Sequence, residues 1–396
     1  MHRPLEGIRI LEWGTFYAAP GGSAILTDLG AEVIKIEQRG TGDPFRHGNK
    51  SDLEVAGDSN VLFVGANRGK KSITINMSLP EGKQIVYNLA GKCDVFVTNL
   101  RRSTIARMGM DYATMAKINP MIIYAGVTAY GTRGPDADHG GFDPQGQARS
   151  GMMFSGNPDE PKMKLPGIVD HSTAVMVSYQ IVIALLMRER FGIGQEVDVS
   201  LLGTASYLQY LDNLHMLLTG EDTAHHQREA IRALVNHYRC QDGQWLMLRI
   251  FEDHWAAVCE IIGHAELIAD PRCETREARA AHRPELIAIF KKAFAARPRD
   301  EWLRMLLEKH LVACAVNTPR QSFEDPQMVE NEYVVHSPRP GKVTVRIPGF
   351  PIHFSRAKVE RHSIAPRLGQ HTDVVLKELG GYSDVEIAHF KEAKVV

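Results

Sequence analysis

The sequence predicts an α/β protein, with a large domain on a parallel, Rossmann-like sheet and a smaller α+β domain. Three observations carry this. Strand-like apolar runs alternate with helix-like runs through residues 7–127, the pattern of a parallel sheet covered on both faces. A hairpin signal followed by amphipathic runs begins beyond residue 222. The chain has 396 residues, more than one hydrophobic core usually serves.

The elements follow in order. Residues 7–13 (GIRILEW) read as a strand, and 20–29 as a helix whose small residues allow close packing. Gly30 stops it, and residues 32–37 (EVIKIE) form the next strand. Residues 71–77 alternate at period two. Pro80 suits a first helical turn and opens a helix to about residue 90. Residues 94–98 and 121–127 add strands, with short helices at 104–108 and 112–117 between them. The turn after the first strand reads GTFYAAPGG, not GxGxxG, so a nicotinamide or flavin site is poorly supported. Residues 132–169 are rich in Gly, Pro, Asp and Ser and read as long loops, which suggests function. A helix over 171–190 follows, then a strand at 196–201. Residues 238–250 read as a hairpin turning at Asp242-Gly243, and 253–309 as helical, broken at Pro284 and Pro298. The tail carries a strand near 343–347 and a last helix from Thr372. The expected divisions are residues 1–221, 222–325, and a tail 326–396 returning to the first domain.

Composition narrows the function. Lys plus Arg is 46 and Asp plus Glu is 47, so bulk charge attracts neither nucleic acid nor an anionic membrane. The most apolar stretch, AVMVSYQIVIALLM at 174–187, is short for a bilayer and reads as a core helix. Five cysteines with no CxxC pair argue against a disulfide scaffold or thiolate zinc site. With no signal-peptide pattern, the expected location is the cytoplasm. His225-His226 has no further ligand spacing around it, and no metal site is expected.

Asp170 lies between the loop LPGIVD and the apolar helix. Asp is a good helix N-cap. The same place suits a nucleophile, because helix N–H groups orient a carboxylate and keep it ionised, and neighbouring amides can stabilise an oxyanion. The residues alone do not choose. Arg39, after a strand end, begins a recurring basic set with Arg46, Arg68, Lys70, Lys71, Arg101, Arg102 and Arg107. Singly these are surface residues; clustered, they make a phosphate site. Tyr130-Gly131 is a turn or a pocket wall.

In order and spacing, these segments resemble the class III coenzyme A transferases, the formyl-CoA and carnitine CoA transferase family. The segments are PLEGIRILEW, AAPGGSAILTDLGAEVIKIEQRGTGDPFR, NRGKKSITINMSLPEGK, DVFVTNLRRSTIARMGMDYATMAKINPMIIYAGVTAYGTRGP, GFD at 141–143, LPGIVD at 165–170, GIGQEVDVSLL and APRLGQHT. The resemblance implies that Asp170 is the covalent nucleophile. It implies contacts to coenzyme A from Arg39, Asn99, Leu100, Arg101, Arg107, Ala129 and Tyr130, to which the basic set adds Arg68 and Lys71 as candidates. It places Tyr17 near the acyl end of the pocket, and Phe16 and Phe142 are further candidates for that pocket. It also implies a homodimer of interlocked rings, against the usual rule that chains do not thread, or a hetero-oligomer with a related chain. Acyl-CoA and a free carboxylic acid are the substrates, with no tightly bound cofactor. A glycine-rich closing loop found in some members has no counterpart near 236–260.

Two alternatives are weighed. An alpha-methylacyl-CoA racemase would carry His in a GHD-like segment; Phe142 stands there, and phenylalanine exchanges no proton. His139 is three residues away. A CoA-binding subunit of a hetero-oligomeric transferase would not need Asp170. The GFD and PGIVD segments resemble transferases of aromatic or branched acids, of aryl-lactate or arylsuccinate type, with succinyl-CoA or another organic acyl-CoA as donor, and the apolar residues Phe16, Tyr17, Met152, Met153 and Phe154 agree with an apolar acyl pocket.

Overall fold

The computed structural model describes residues 2–47, 60–155, 159–221, 232–339, 342–360, 362 and 364–396. Two units emerge. One comprises Met1–Met153, Met163–Asn213 and Asn331–Val396, the other Phe154–Lys162 and Leu214–Glu330.

The larger unit is built on six parallel strands: β1 (Arg9–Trp13), β2 (Glu32–Glu37), β3 (Lys71–Thr74), β4 (Val95–Thr98), β5 (Ile123–Thr128) and β6 (Gln195–Ser200). Their order is β3-β2-β1-β4-β5-β6. The helices between them are α1 (Ala18–Asp28), α2 (Val61–Asn67), α3 (Pro80–Ala90), α4 (Arg102–Met108), α5 (Tyr112–Ile118), α6 (Asp143–Arg149) and α7 (Ile168–Phe191), and α8 (Leu201–Leu208) follows β6. Strand side chains alternate between faces, so adjacent residues enter different cores. Ile10 joins Val33, Val95, Ile123 and the α1 and α7 residues Leu26, Val177 and Ile181. Leu11 joins Ile34, Phe96 and the α3 residues Ile85, Val86 and Leu89. The order reverses between β2 and β4 around β1. That opens a crevice at the carboxyl ends of β1 and β4, where open parallel sheets bind ligands.

Helix α7 is 24 residues long, and by length and composition it is able to cross a membrane. Its inner face nevertheless packs on α1 and the sheet. The approach to α1 depends on Gly22: a Cβ there would lie 2.5 Å from Val177. Gly21, whose Cβ would lie 3.1 Å from Ala174, and Gly22 thus serve a helix–helix contact. The chain end packs on the other face, where Val395 and Val396 are buried with Ile387.

The smaller unit has an antiparallel sheet of β7 (His237–Arg239), β8 (Trp245–Leu248) and β9 (Ala313–Val316). Gly243, at φ +77°, makes the expected turn between β7 and β8. Tyr238, Phe290, Phe294 and Trp302 fill the core of this unit. The sequence reading contained no element at α2, α8 or β9. It also missed Val334–Arg339, the strand paired antiparallel with Lys342–Pro348.

Candidate active site

The crevice holds a cavity of about 440 Å³. Its walls come from the β1–α1 loop (Thr15, Phe16, Tyr17), the β4–α4 loop (Asn99, Leu100, Arg101), the end of β5 with Ala129, the segment 137–142, and Asp170 on α7. Eight of the expected residues therefore meet here: Phe16, Tyr17, Asn99, Leu100, Arg101, Ala129, Phe142 and Asp170.

The β1–α1 loop is held from several sides. The Asn99 side chain accepts from Thr15 N (2.9 Å) and donates to Thr15 O (2.7 Å). Phe16 has φ +62°, uncommon for a bulky residue and worth roughly 1–2 kcal/mol of strain. Its N–H donates to Asp43 Oδ1 at 3.3 Å. Asp43 belongs to a buried ionic cluster. Lys35 Nζ lies 3.0 Å from Asp43 Oδ2, 2.9 Å from Glu12 Oε1 and 2.8 Å from Gly14 O. Lys70 Nζ meets Glu12 Oε2 at 2.6 Å. Burial works against the charge of Glu12, but Lys35 and Lys70 outweigh it and hold the carboxyl at about 2. Burial pushes the Lys70 ammonium down to about 7, against the attraction of Glu12. This cluster, which sequence reasoning missed, is a rigid floor beneath the loop. The Phe16 ring meets Phe142 and Phe45 edge-on, at 5.2 and 5.4 Å between centroids. Tyr17 lies against His171 at 4.3 Å.

Asp170 is not the N-cap of α7. The cap position is Gly167, in the left-handed region, and it has no side chain to offer. The cap comes from another element: Asp143 Oδ2, on α6, accepts from Val169 N at 2.7 Å and Asp170 N at 3.2 Å. Ile168 N donates to Leu165 O and His171 N to Gly167 O. All four first-turn amides are therefore engaged. They neither bind the Asp170 carboxylate nor stand ready as an oxyanion hole, so neither of the roles the sequence left open to them is realised. The Asp170 carboxylate makes no hydrogen bond among the described residues and lines the cavity. Burial, and then the negative charge of Asp143, push it up to about 6, with His171 pulling the other way. The helix amides therefore do not keep this carboxylate ionised, and burial opposes its charge.

The remaining expected residues lie elsewhere. Arg39 Nε donates to Val396 O at 3.0 Å. Arg68 pairs with Asp28 at 2.6 Å and does not line the cavity, although its charge reaches Tyr17. Lys71 opens β3 and pairs with Glu32. In a parallel sheet that puts it at the edge opposite the cavity, because its strand has yet to run its length. Arg107 is exposed in the last turn of α4. Tyr130 lies beneath the Arg149 guanidinium, 4.5 Å from ring centroid to Cζ. Met152 is buried in the core, and neither it nor Met153 or Phe154 lines the cavity. His139 does line it, paired to Asp136 at 2.9 Å. Among the described residues no cluster suits a metal ion, and His225-His226 lie outside them. The cysteines Cys93, Cys240, Cys259, Cys273 and Cys314 are free.

With the nucleotide-fold crevice and its isolated carboxylate described, comparison with known proteins gives the class. The chain matches the model of CoA-transferase family III over residues 5–372 and belongs to that family. It is 32% identical to the succinyl-CoA:glutarate CoA-transferase of Mus musculus, covering 96% of this chain and 88% of that protein. It is 30% identical to the (R)-2-hydroxy-4-methylpentanoate CoA-transferase of Clostridioides difficile, covering 99% of each. The crystal structure of a CAIB/BAIF family protein from Brucella suis superposes with a TM-score of 0.86, at 29% identity, covering 96% of this chain and all of that one. The chain is thus a CoA-transferase of the family III type, exchanging coenzyme A between an acyl thioester and a carboxylate.

Proposed function

We propose that this enzyme moves coenzyme A from a small organic acyl-CoA to an aromatic or branched carboxylic acid, with Asp170 as the covalent carrier. One observation carries the reading: a half-buried carboxylate faces a cavity walled on one side by Phe16, Tyr17 and Phe142, without a hydrogen bond among the described residues, and helix capping does not account for it. An Asp170 oxygen attacks the thioester carbonyl carbon, the C–S bond breaks, and CoA leaves as thiolate. The thiolate attacks Cγ of Asp170, releasing the donor carboxylate and leaving an aspartyl-CoA thioester. The acceptor carboxylate attacks the same carbon and expels the thiolate. The thiolate then attacks the acceptor carbonyl of this second anhydride, which frees Asp170. No proton or redox equivalent is consumed, so the enzyme's task is positioning and exclusion of water.

The acyl end is assigned to the side of Phe16, Tyr17 and Phe142, and CoA to the Asn99–Arg101 loop, with Arg101 and Arg107 available to its phosphates. The branched acid in the Clostridioides relative's name agrees with an apolar acyl site. The mouse relative's name keeps succinyl-CoA as a donor to test. A cytoplasmic homodimer is the proposed form. Support for the dimer lies in the apolar residues Val175, Tyr179 and Leu186 exposed on α7, and Leu211, Leu217 and Leu218 on the helix Tyr210–Thr219.

The test is incubation with a panel of acyl-CoA donors and free acids, followed by mass spectrometry of CoA esters, with hydroxylamine added to trap an activated carboxyl. New CoA esters and a hydroxamate at Asp170 support the reading. Epimerisation without exchange replaces it with removal and return of the substrate's alpha proton by Asp170 and His139.

A further inference from the structure

The residue before α7 is a glycine, yet two amides of the first turn end on one buried oxygen, Asp143 Oδ2. Asp143 comes from a different helix, 27 residues earlier in sequence than Asp170. Its other oxygen accepts from Gln147 Nε2 at 2.6 Å. Gln147 in turn accepts from Lys164 N at 2.8 Å and donates to Leu165 O at 3.3 Å, so it fastens the strand of chain that leads into α7. Both side chains are buried. Gly146 completes the fit, since a Cβ there would lie 2.9 Å from Val169 Cγ1. Helix α6 is thus pressed onto the first turn of α7 by a hydrogen-bonded clamp of Asp143 and Gln147.

An Asn or Ser would cap these amides nearly as well, without burying a second negative charge beside Asp170. The choice of a carboxylate has a consequence for the neighbour. We propose that Asp143 is a positioning residue for the transfer reaction. By taking the helix cap it leaves the Asp170 carboxylate unbonded toward the cavity, and by its charge it keeps those oxygens electron-rich and ready to be acylated. This rests on Asp170 being the nucleophile. The same charge favours departure from the anhydride less, so its influence is expected on formation of the acyl-enzyme and not on CoA binding.

The ionisable groups around Asp170 are Asp143 on α6, His171 beside it on α7 and Tyr17 on the β1–α1 loop. Arg101, Arg102, Asp138 and His139 line the same cavity. Burial gives the largest upward push on Asp170; Asp143 adds the like charge and His171 the opposing one.

The experiment compares Asp143→Asn, Asp143→Ala and Asp170→Asn in the full chain, reading single-turnover formation of the acyl-enzyme against pH, the KM for the CoA ester, and thermal unfolding. Asp143→Asn keeps an oxygen for the two amides. It should fold and bind CoA ester normally, while the acid limb of its pH profile moves down by about one pH unit and its plateau rate falls roughly 10-fold. Asp143→Ala should lose the cap as well, with a larger fall in rate that Asn partly rescues. A folded Asp143→Asn enzyme whose acid limb stays in place overturns the proposal. Acyl-enzyme formation by Asp170→Asn overturns instead the assignment of the nucleophile, so the two failures are told apart.

Discussion

Two cavities of similar size, about 440 and 400 Å³, open at opposite ends of one parallel sheet. At the amino ends of β1–β3 the charges are matched: Arg9 and Lys71 share Glu32, while Arg3 and His362 share Glu360. At the carboxyl ends, Asp170 has no salt bridge and no hydrogen-bond donor among the described residues; only His171 draws on its charge, and a second carboxylate stands beside it. Volume does not separate these clefts; satisfaction of charge does. A paired surface cluster lowers its own energy and has little reactivity to offer. An unpaired, half-buried carboxylate costs stability at neutral pH, which marks a position kept for chemistry.

The strongest way to break this contrast is Asp170→Asn. Exchange is expected to fall by on the order of 10³-fold or more, measured by CoA-ester turnover. The same change should stabilise the protein in a pH-dependent way. Folding raises this carboxyl from 3.8 to about 6, so the folded state holds the proton that the unfolded state releases. The associated stability is present below about pH 4 and is lost as pH rises through about 6. At pH 8 the asparagine variant should therefore gain up to about 3 kcal/mol in urea unfolding, and at pH 4 almost nothing. A loss of stability at pH 8 would mean that Asp170 is a structural residue after all.

Glu12→Gln probes a third kind of site, where charges are paired and fully buried. It leaves Lys35 and Lys70 without their shared carboxylate. A loss of about 3–5 kcal/mol is expected, against under 1 kcal/mol if the cluster is solvated in solution. Gly22→Ala tests whether the α1–α7 contact sets the position of Asp170. The inserted methyl must displace Val177, costing roughly 1–3 kcal/mol, and exchange should fall with it. Unchanged exchange would separate the helix contact from the site. Lys71→Ala should do least: under about 1 kcal/mol, with the KM for the CoA ester unchanged. A rise in that KM would return Lys71 to the ligand site and erase the contrast between the two edges.

Ile10 and Leu11 illustrate what was legible in the chain. Period two sends adjacent residues to opposite faces, and the alternation of strands with helices covers both faces, so a parallel sheet follows from local pattern. Helix α2 was not legible in the same way. VLFVGAN is seven residues of mostly apolar sequence, too short for periodicity to separate helix from strand, and its cap, Asn60 accepting from Leu62 N, emerges only in the structure. Lys71 and Arg39 show the limit for charges. Sequence places both near strands, but the direction of β3 and the return of the chain end decide that one faces the far edge and the other meets Val396.

By itself, then, the sequence determined the α/β class, the family resemblance and the position of Asp170 where a loop enters a long apolar helix, because each depends on residues adjacent in the chain. Only the tertiary structure decided what that aspartate is free to do. The competing roles of cap and nucleophile are equivalent locally. They separate because Asp143, folded in from α6, satisfies the helix amides, and because burial leaves the Asp170 carboxylate facing the cavity with its charge unmatched.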